Sequence, residues 1–132
     1  MTLETTWREP RVKAEIRRVL TFLRAQSFMP SASTFGRTGV CDHIVCLQGR
    51  YLAIEAKGLD SSGGGKLRSD QIEFGRGVLA AGGVWLVIDH TNVLRLPMIL
   101  LSHGLGIGRW KGFKPCNTRS LKSTPKRKRF LQ

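Results

Sequence analysis

The sequence predicts an α/β domain, a mixed sheet flanked by helices with the element order αββαβ, and three observations carry that prediction. A helical stripe of apolar residues comes first, two β-rich runs follow around a glycine turn, and a second helical stretch leads through Gly82-Gly83 into the continuous apolar run Val84-Trp85-Leu86-Val87-Ile88. A tight turn makes its strands antiparallel, whereas a helical crossover makes them parallel, so the sheet is mixed.

Over 9–26, Val12, Ile16, Val19, Leu20 and Leu23 recur at helical spacing and form one stripe. The other side carries Arg11, Lys13, Arg17, Arg18 and Arg24, with Glu15 at the edge of the stripe, where it either reaches the sheet edge or pairs with a neighbouring arginine. Phe28-Met29-Pro30 closes the helix, and 31–39 reads as an irregular small-residue segment containing Arg37. The runs 42–47 and 51–57 are strands joined by Gln48-Gly49-Arg50, whose glycine suits a hairpin. Segment 58–66, with Ser61-Ser62-Gly63-Gly64-Gly65, is expected to be a flexible loop. Ser69 or Asp70 caps a helix over 70–81, Asp70 and Glu73 having capping-box spacing, and Gly82-Gly83 stops it. The apolar run 84–88 is a strand covered on both faces. Over 91–103 the pattern fits another strand followed by a short helix starting at Pro97, with Met98-Ile99-Leu100-Leu101 serving as core or subunit contact.

The chain has 132 residues and a formal net charge of +13, enough length for one domain and a charge that calls for a polyanionic partner, nucleic acid before a membrane surface. No apolar stretch reaches the length of a spanning helix, and the first residues lack a basic segment followed by an apolar core, so a soluble, cytoplasmic protein is expected. From 109 to 132 there are nine Lys or Arg and no acid. The division is therefore a folded domain over 1–108 and a basic arm over 109–132 that binds nucleic acid through phosphate contacts. Its cations include Arg109, Lys111, Lys114, Lys126, Arg127, Lys128 and Arg129, joined on the domain by Arg37, Lys66 and Arg68. Three cysteines without a secretory signal argue against a disulfide framework; Cys41 and Cys46 read as small buried hydrophobes rather than zinc ligands.

The chemistry concentrates in 39–57. Asp42 opens one strand and Glu55-Ala56-Lys57 closes the next. Residues two apart on a strand share a face, so Glu55 and Lys57 project together and a hairpin brings Asp42 alongside. Two carboxylates and an ammonium then converge, a donor set suited to Mg²⁺ or Mn²⁺ beside a lysine that positions water and offsets phosphate charge. Gln71, in the first turn of the second helix, points back across the strand ends.

Taken together, Glu15, Asp42, Glu55-Ala56-Lys57 thirteen residues on, and Gln71 opening a helix that ends in Ala80-Ala81-Gly82-Gly83 before a strand resemble the PD-(D/E)XK nuclease superfamily, and within it the short stand-alone members of the VRR-Nuc family found in phages and bacteria, which implies the cytoplasm of a bacterium or phage-infected host cell. The match covers 12–88 and departs where Cys41, rather than the usual proline, precedes Asp42. The resemblance implies a restriction-endonuclease-like fold that hydrolyses phosphodiesters with Mg²⁺ or Mn²⁺. Asp42, Glu55 and the Ala56 main-chain carbonyl would ligate the metal, Glu15 directly or through water; Lys57 would position the water, and Gln71 would orient Lys57 or contact the phosphate. It further implies a Holliday junction resolvase-like homodimer that cuts branched DNA, most fittingly a four-way junction, with apolar surface from Trp85, Leu94, Leu96, Met98, Ile99 and Leu100 available for the seam. Two alternatives stand beside it: a non-enzymatic basic DNA-binding or packaging protein, and a nuclease acting on flaps, nicked duplex or RNA.

Overall fold

A computed structural model describes residues 3–31 and 36–106. Helix α1 (Glu9–Phe22) buries Val12, Ile16, Val19 and Leu20, the stripe read from the sequence. It ends four residues earlier than expected because Arg24 takes a left-handed conformation (φ 56°), and the chain turns back into a short strand, β1 (Gln26–Phe28). The sequence reading did not contain β1, whose three residues are all exposed and therefore show no burial pattern.

Strands β2 (His43–Leu47) and β3 (Arg50–Ala56) form the expected hairpin, paired from His43↔Ile54 to Leu47↔Arg50. Its two turn residues, Gln48 (φ 51°) and Gly49 (φ 78°), are both left-handed, the conformation that matches the right-handed twist of the strands it joins. The segment expected to be a loop contains a miniature hairpin, β4 (Leu59–Asp60) against β5 (Gly63–Gly64), held at its turn by Asp60 Oδ1 accepting from the Ser62 N–H and hydroxyl. Helix α2 (Ser69–Ala80) crosses over to β6 (Val84–Ile88), which runs parallel to β3 from Leu52↔Val84 to Ala56↔Ile88. The sheet order is β1-β2-β3-β6, a mixed four-stranded sheet flanked by helices, as predicted.

After β6 the chain does not make the strand suggested for the nineties. Asp89 Oδ1 accepts from the Thr91 N–H and hydroxyl while Asn92 bonds Asp89 and Val87, forming a tight turn into a 3₁₀ segment (Val93–Arg95) and helix α3 (Leu96–Ser102). Local polar side chains compete with the ladder and win. Pro97 does sit in the first turn of α3.

The sheet has two unlike faces. Val45, Leu47, Leu52, Ile54, Val84, Leu86 and Ile88 pack under α1 and α3, joined by Leu96 and Leu100. The opposite face carries a smaller cluster, Cys41, Ala53 and Val78 with Ile44, Phe74 and Trp85, beneath α2. Helix α2 lies so close to the Trp85 indole that a Cβ on Gly75 would fall 2.0 Å from it. Cys41 is buried as expected, but Cys46 is exposed because it shares the outward parity of β2. Of the residues offered for a dimer seam, Leu96 and Leu100 are core, whereas Met98 is exposed and lines an apolar groove with Phe22 and Leu101. No described helix is long and apolar enough to cross a membrane.

Candidate active site

The second face gains a polar extension at the carboxyl end of β3. Ala53 belongs to the small apolar cluster, so Glu55 and Lys57, two and four residues on, continue the same side of the strand. The main-chain N–H of Lys57 donates to the Ile88 carbonyl at 2.9 Å, extending the parallel ladder just past β3. Asp42, immediately before β2, lies across the hairpin: its Oδ2 accepts from the Ala56 N–H at 2.9 Å. Asp42, Glu55, Lys57 and Gln71 all line one cleft of about 750 Å³.

Glu55 is 2 % exposed. Its Oε1 accepts from Gln71 Nε2 at 2.6 Å and lies 3.2 Å from Lys57 Nζ, while Oε2 is buried without a hydrogen-bond partner. Burial, and after it the Asp42 charge, pushes the Glu55 carboxyl up to about 7 against the opposing pull of Lys57. A buried carboxylate with one bare oxygen is costly unless a cation or proton meets it, and a cleft is where such cost signals function.

Gln71 is fixed at both ends. Its Oε1 accepts from the Arg68 N–H at 3.0 Å, capping α2, while its Nε2 holds Glu55. The expected pairing of Asp70 with Glu73 is not the cap: Arg68 precedes the helix, Gln71 reaches back to it, and Asp70 Oδ1 accepts from the Gln71 N–H at 2.9 Å. Gln71 therefore ties the helix start to the strand end, the coupling needed to keep Glu55 in one orientation.

Glu15 is not brought to this cleft. It pairs with Arg18 at 2.6 Å, which holds its carboxyl below the ordinary value. The acid that α1 presents is Glu9, at the helix start, and it comes with Lys13 one turn on: Lys13 Nζ lies 2.8 Å from Glu9 Oε1 and 3.0 Å from Asp42 Oδ1. Burial works against the Lys13 charge, but its bonds to Glu9 and Asp42 outweigh it and raise the ammonium above its ordinary value. Neither residue stands out in the sequence, where an i,i+4 Glu–Lys pair is a common helix-surface feature; the signal that marks Glu9 is its helical phase, roughly 20° from that of the buried Ile16. The close approach of α1 rests on Gly58, where a Cβ would fall 2.1 Å from the Glu9 nitrogen.

Of the cations proposed to meet nucleic acid, Arg37 and Arg68 line the cleft, Arg37 with its guanidinium 5.3 Å from the centre of the Phe74 ring and Arg68 paired with Asp70 at 3.1 Å. Lys66 is exposed on the segment leading to α2. Arg109, Lys111, Lys114, Lys126, Arg127, Lys128 and Arg129 lie outside the described residues.

Among the described residues no group of three or more His, Cys, Asp and Glu is placed to hold a metal ion. Asp42 and Glu55 are two hard oxygen donors, the second with a bare buried oxygen, and the Ala56 carbonyl belongs to the residue between Glu55 and Lys57. That set fits Mg²⁺ or Mn²⁺, which take one or two carboxylates and fill the remaining positions with water and phosphate, and it does not fit a closed zinc site. Comparison of the chain with protein-family models, curated proteins and solved structures returned no match.

Proposed function

We propose that this chain is a Mg²⁺- or Mn²⁺-dependent endodeoxyribonuclease of the VRR-Nuc kind, acting on branched DNA, with four-way junctions as its leading substrate. The observation that carries the proposal is the buried Glu55, which lines a cleft beside Asp42 and Lys57 at the carboxyl end of a parallel strand pair and whose Oε2 has no hydrogen-bond partner. A protein built only to hold polyanions gains nothing from burying a carboxylate where phosphate would be repelled.

Asp42, Glu55 and the Ala56 carbonyl would hold the metal, which when bound supplies charge neutralisation and an acidified water. Lys57 holds the attacking water and balances charge developing on the phosphate. Gln71 fixes Glu55 and, through it, the position of Lys57. Arg37 and Arg68 at the cleft take the flanking phosphates; such contacts position the strand without reading its sequence. The branched substrate suits a homodimer, since two-fold symmetry gives each of two strands one site, and Phe22, Met98 and Leu101 supply exposed apolar surface in one groove for its seam.

A cleavage assay on labelled four-way junction, flap and plain duplex, with Mg²⁺, Mn²⁺ or EDTA and with Lys57→Ala in parallel, tests the proposal. Metal-dependent paired nicks in the junction, lost in the variant, are expected. Tight binding with no cut on any substrate would instead establish the non-enzymatic DNA-binding alternative, and cutting confined to flaps, nicked duplex or RNA would move the substrate.

A further inference from the structure

Helix α2 carries two glycines within its span, and they are not alike. Gly75 is demanded by packing, since a Cβ there would fall 2.0 Å from the Trp85 indole. Gly77 has no such reason: it is exposed, its φ is not positive, and a Cβ on it would meet nothing within 4 Å. Alanine in an exposed helix interior is more stable than glycine, so Gly77 costs the fold helix stability and leaves only space in return. That space belongs to a groove of about 490 Å³ between α2, the Gly82-Gly83 turn and the start of β3, lined also by Tyr51, Phe74 and Arg37. Tyr51 is its open aromatic, 47 % exposed, with the ring edge laid along the turn so closely that a Cβ on Gly83 would come within 3.1 Å of Cδ1. Arg37, held 5.3 Å from the centre of the Phe74 ring, is the one charged side chain lining the groove among the described residues. It also lines the Glu55 cleft, so cleft and groove are continuous at this guanidinium.

We propose that this groove is a subsite for one unpaired DNA base, which stacks on Tyr51 while Arg37 takes the phosphate between that base and the cleft. The inference rests on the nuclease proposal above and deepens it by assigning the substrate feature that the protein selects. Tyr51 and Glu55 share one side of β3, four residues apart, a span of about 13 Å. A duplex rises about 3.4 Å per base, so the groove receives a base within about four nucleotides of the bond at Glu55. A base inside a paired duplex has both faces covered by its neighbours and does not enter a groove floored by a turn and a single ring. An unpaired base beside a branch has a free face, and an aromatic side chain stacks on it whatever its identity. Charge agrees with this occupant: the chain carries +13, the groove has no acid among its lining residues, and its cation stands at the end nearest the cleft. A groove for an apolar peptide gains nothing from a guanidinium there.

Fluorescence anisotropy in EDTA, where no cleavage intervenes, tests this on the full-length protein with a labelled duplex carrying one unpaired 5-iodouracil and with the same duplex fully paired. Wild type is expected to bind the unpaired-base DNA about tenfold more tightly, and irradiation of that complex to crosslink the iodouracil to Tyr51, read by mass spectrometry of the peptides. Tyr51→Ala, which removes the platform, and Gly77→Leu, which fills the groove from an open position, are each expected to abolish the preference while binding paired duplex within about twofold of wild type. Tyr51→Phe keeps the ring and retains the preference. Thermal melts show that each variant is folded. Equal affinity of wild type for the two DNAs, a preference that survives both Tyr51→Ala and Gly77→Leu, or a loss that falls equally on paired duplex overturns the subsite and leaves the nuclease proposal to the cleavage assay. A preference that behaves as expected in a protein that cuts no DNA with any metal upholds the subsite and removes the nuclease proposal alone.

Discussion

The two faces of the central sheet are built from the same strands and behave oppositely. On the α1 and α3 side, Leu52, Ile54 and Ala56 meet Val12, Ile16 and Leu100 in a dry apolar core. On the α2 side the intervening residues run from Tyr51 through Ala53 to Glu55 and Lys57, and the apolar cluster gives way to a buried carboxylate, an ammonium and an amide. One residue of register separates the two sets, because successive side chains of a strand point to opposite faces. The difference teaches that this fold supports a destabilising site on one face by completing the core on the other. The helix that completes the core also brings Glu9 to the cleft and sets Lys13 against Asp42.

The comparison breaks most severely if the polar face can be neutralised without loss of activity. Glu55→Gln keeps the shape and the Lys57 neighbour but removes the charge, and cleavage is expected to fall by about a thousandfold or more while junction binding persists. Cleavage rates and a binding titration on the same preparation check this; a variant that cuts within tenfold of wild type refutes the site. On the dry face the largest effect is on stability alone. Ile16, fully buried, replaced by Ala is expected to lose about 2–5 kcal/mol. Denaturant unfolding measures that loss, and cleavage per folded molecule, assayed well below the new midpoint, stays near wild type.

Glu55 acts on both stability and activity. The folded-state pKa of Glu55 is raised to about 7 from the ordinary glutamate value of 4.5, chiefly by burial. Between those values the folded protein retains a proton that the unfolded chain releases, so stability from this group is present below the unfolded pKa and is lost as pH rises through the folded one. Metal-free Glu55→Gln is therefore more stable than wild type at pH 8, by roughly 1–3 kcal/mol, and the gap closes towards pH 4. Thermal melts with EDTA across that range show it. If Glu55 holds the proposed metal, it must lose this proton on capture, so metal affinity is expected to rise with pH up to about 7, and calorimetry in buffers of different ionisation enthalpy is expected to detect the released proton.

Much of this was legible because it is periodic. The α1 stripe, the hairpin around Gln48-Gly49, the crossover and the buried β6 all announce themselves through spacing, and the alternation that places Glu55 and Lys57 together follows from strand parity. Asp42 and Gln71 join them in one cleft because the hairpin register and the first turn of α2 are themselves local consequences. What escaped was non-periodic or tertiary. Strand β1 is three exposed residues paired at the sheet edge, β4 and β5 are two residues each, and the turn after β6 depends on where Asp89 and Asn92 side chains find backbone partners. Gln71 as the side chain that reaches back to cap α2 is hidden in the sequence behind two better cap formers, Ser69 and Asp70, and in the fold the same amide also bonds Glu55 across the cleft.

The α1 acids give the finest test of this division between local and tertiary information. Glu9 and Glu15 are on one helix, six residues apart, and each is ion-paired to a basic neighbour, Lys13 and Arg18 respectively. Both have an i+3 or i+4 basic partner in the sequence, yet at about 100° per residue Glu9 lies roughly 40° from the centre of the apolar stripe and Glu15 roughly 80–90° from it. In the fold they differ as well, since Lys13 is shared with Asp42 whereas Arg18 is largely exposed and serves Glu15 alone among the described ion pairs. Glu9→Gln is therefore expected to lower cleavage several-fold, about 3- to 10-fold, because Lys13 then draws on Asp42 without a counterweight. Glu15→Gln breaks an exposed pair of the kind that contributes little, and is expected to leave cleavage within about twofold and Tm within about 2 °C of wild type. Parallel rate measurements on the two variants decide it: if the order is reversed, the helix acid that serves the cleft in solution is Glu15, and α1 must sit rotated about its axis relative to the packing described here, with Val12 and Ile16 no longer at the centre of the buried stripe.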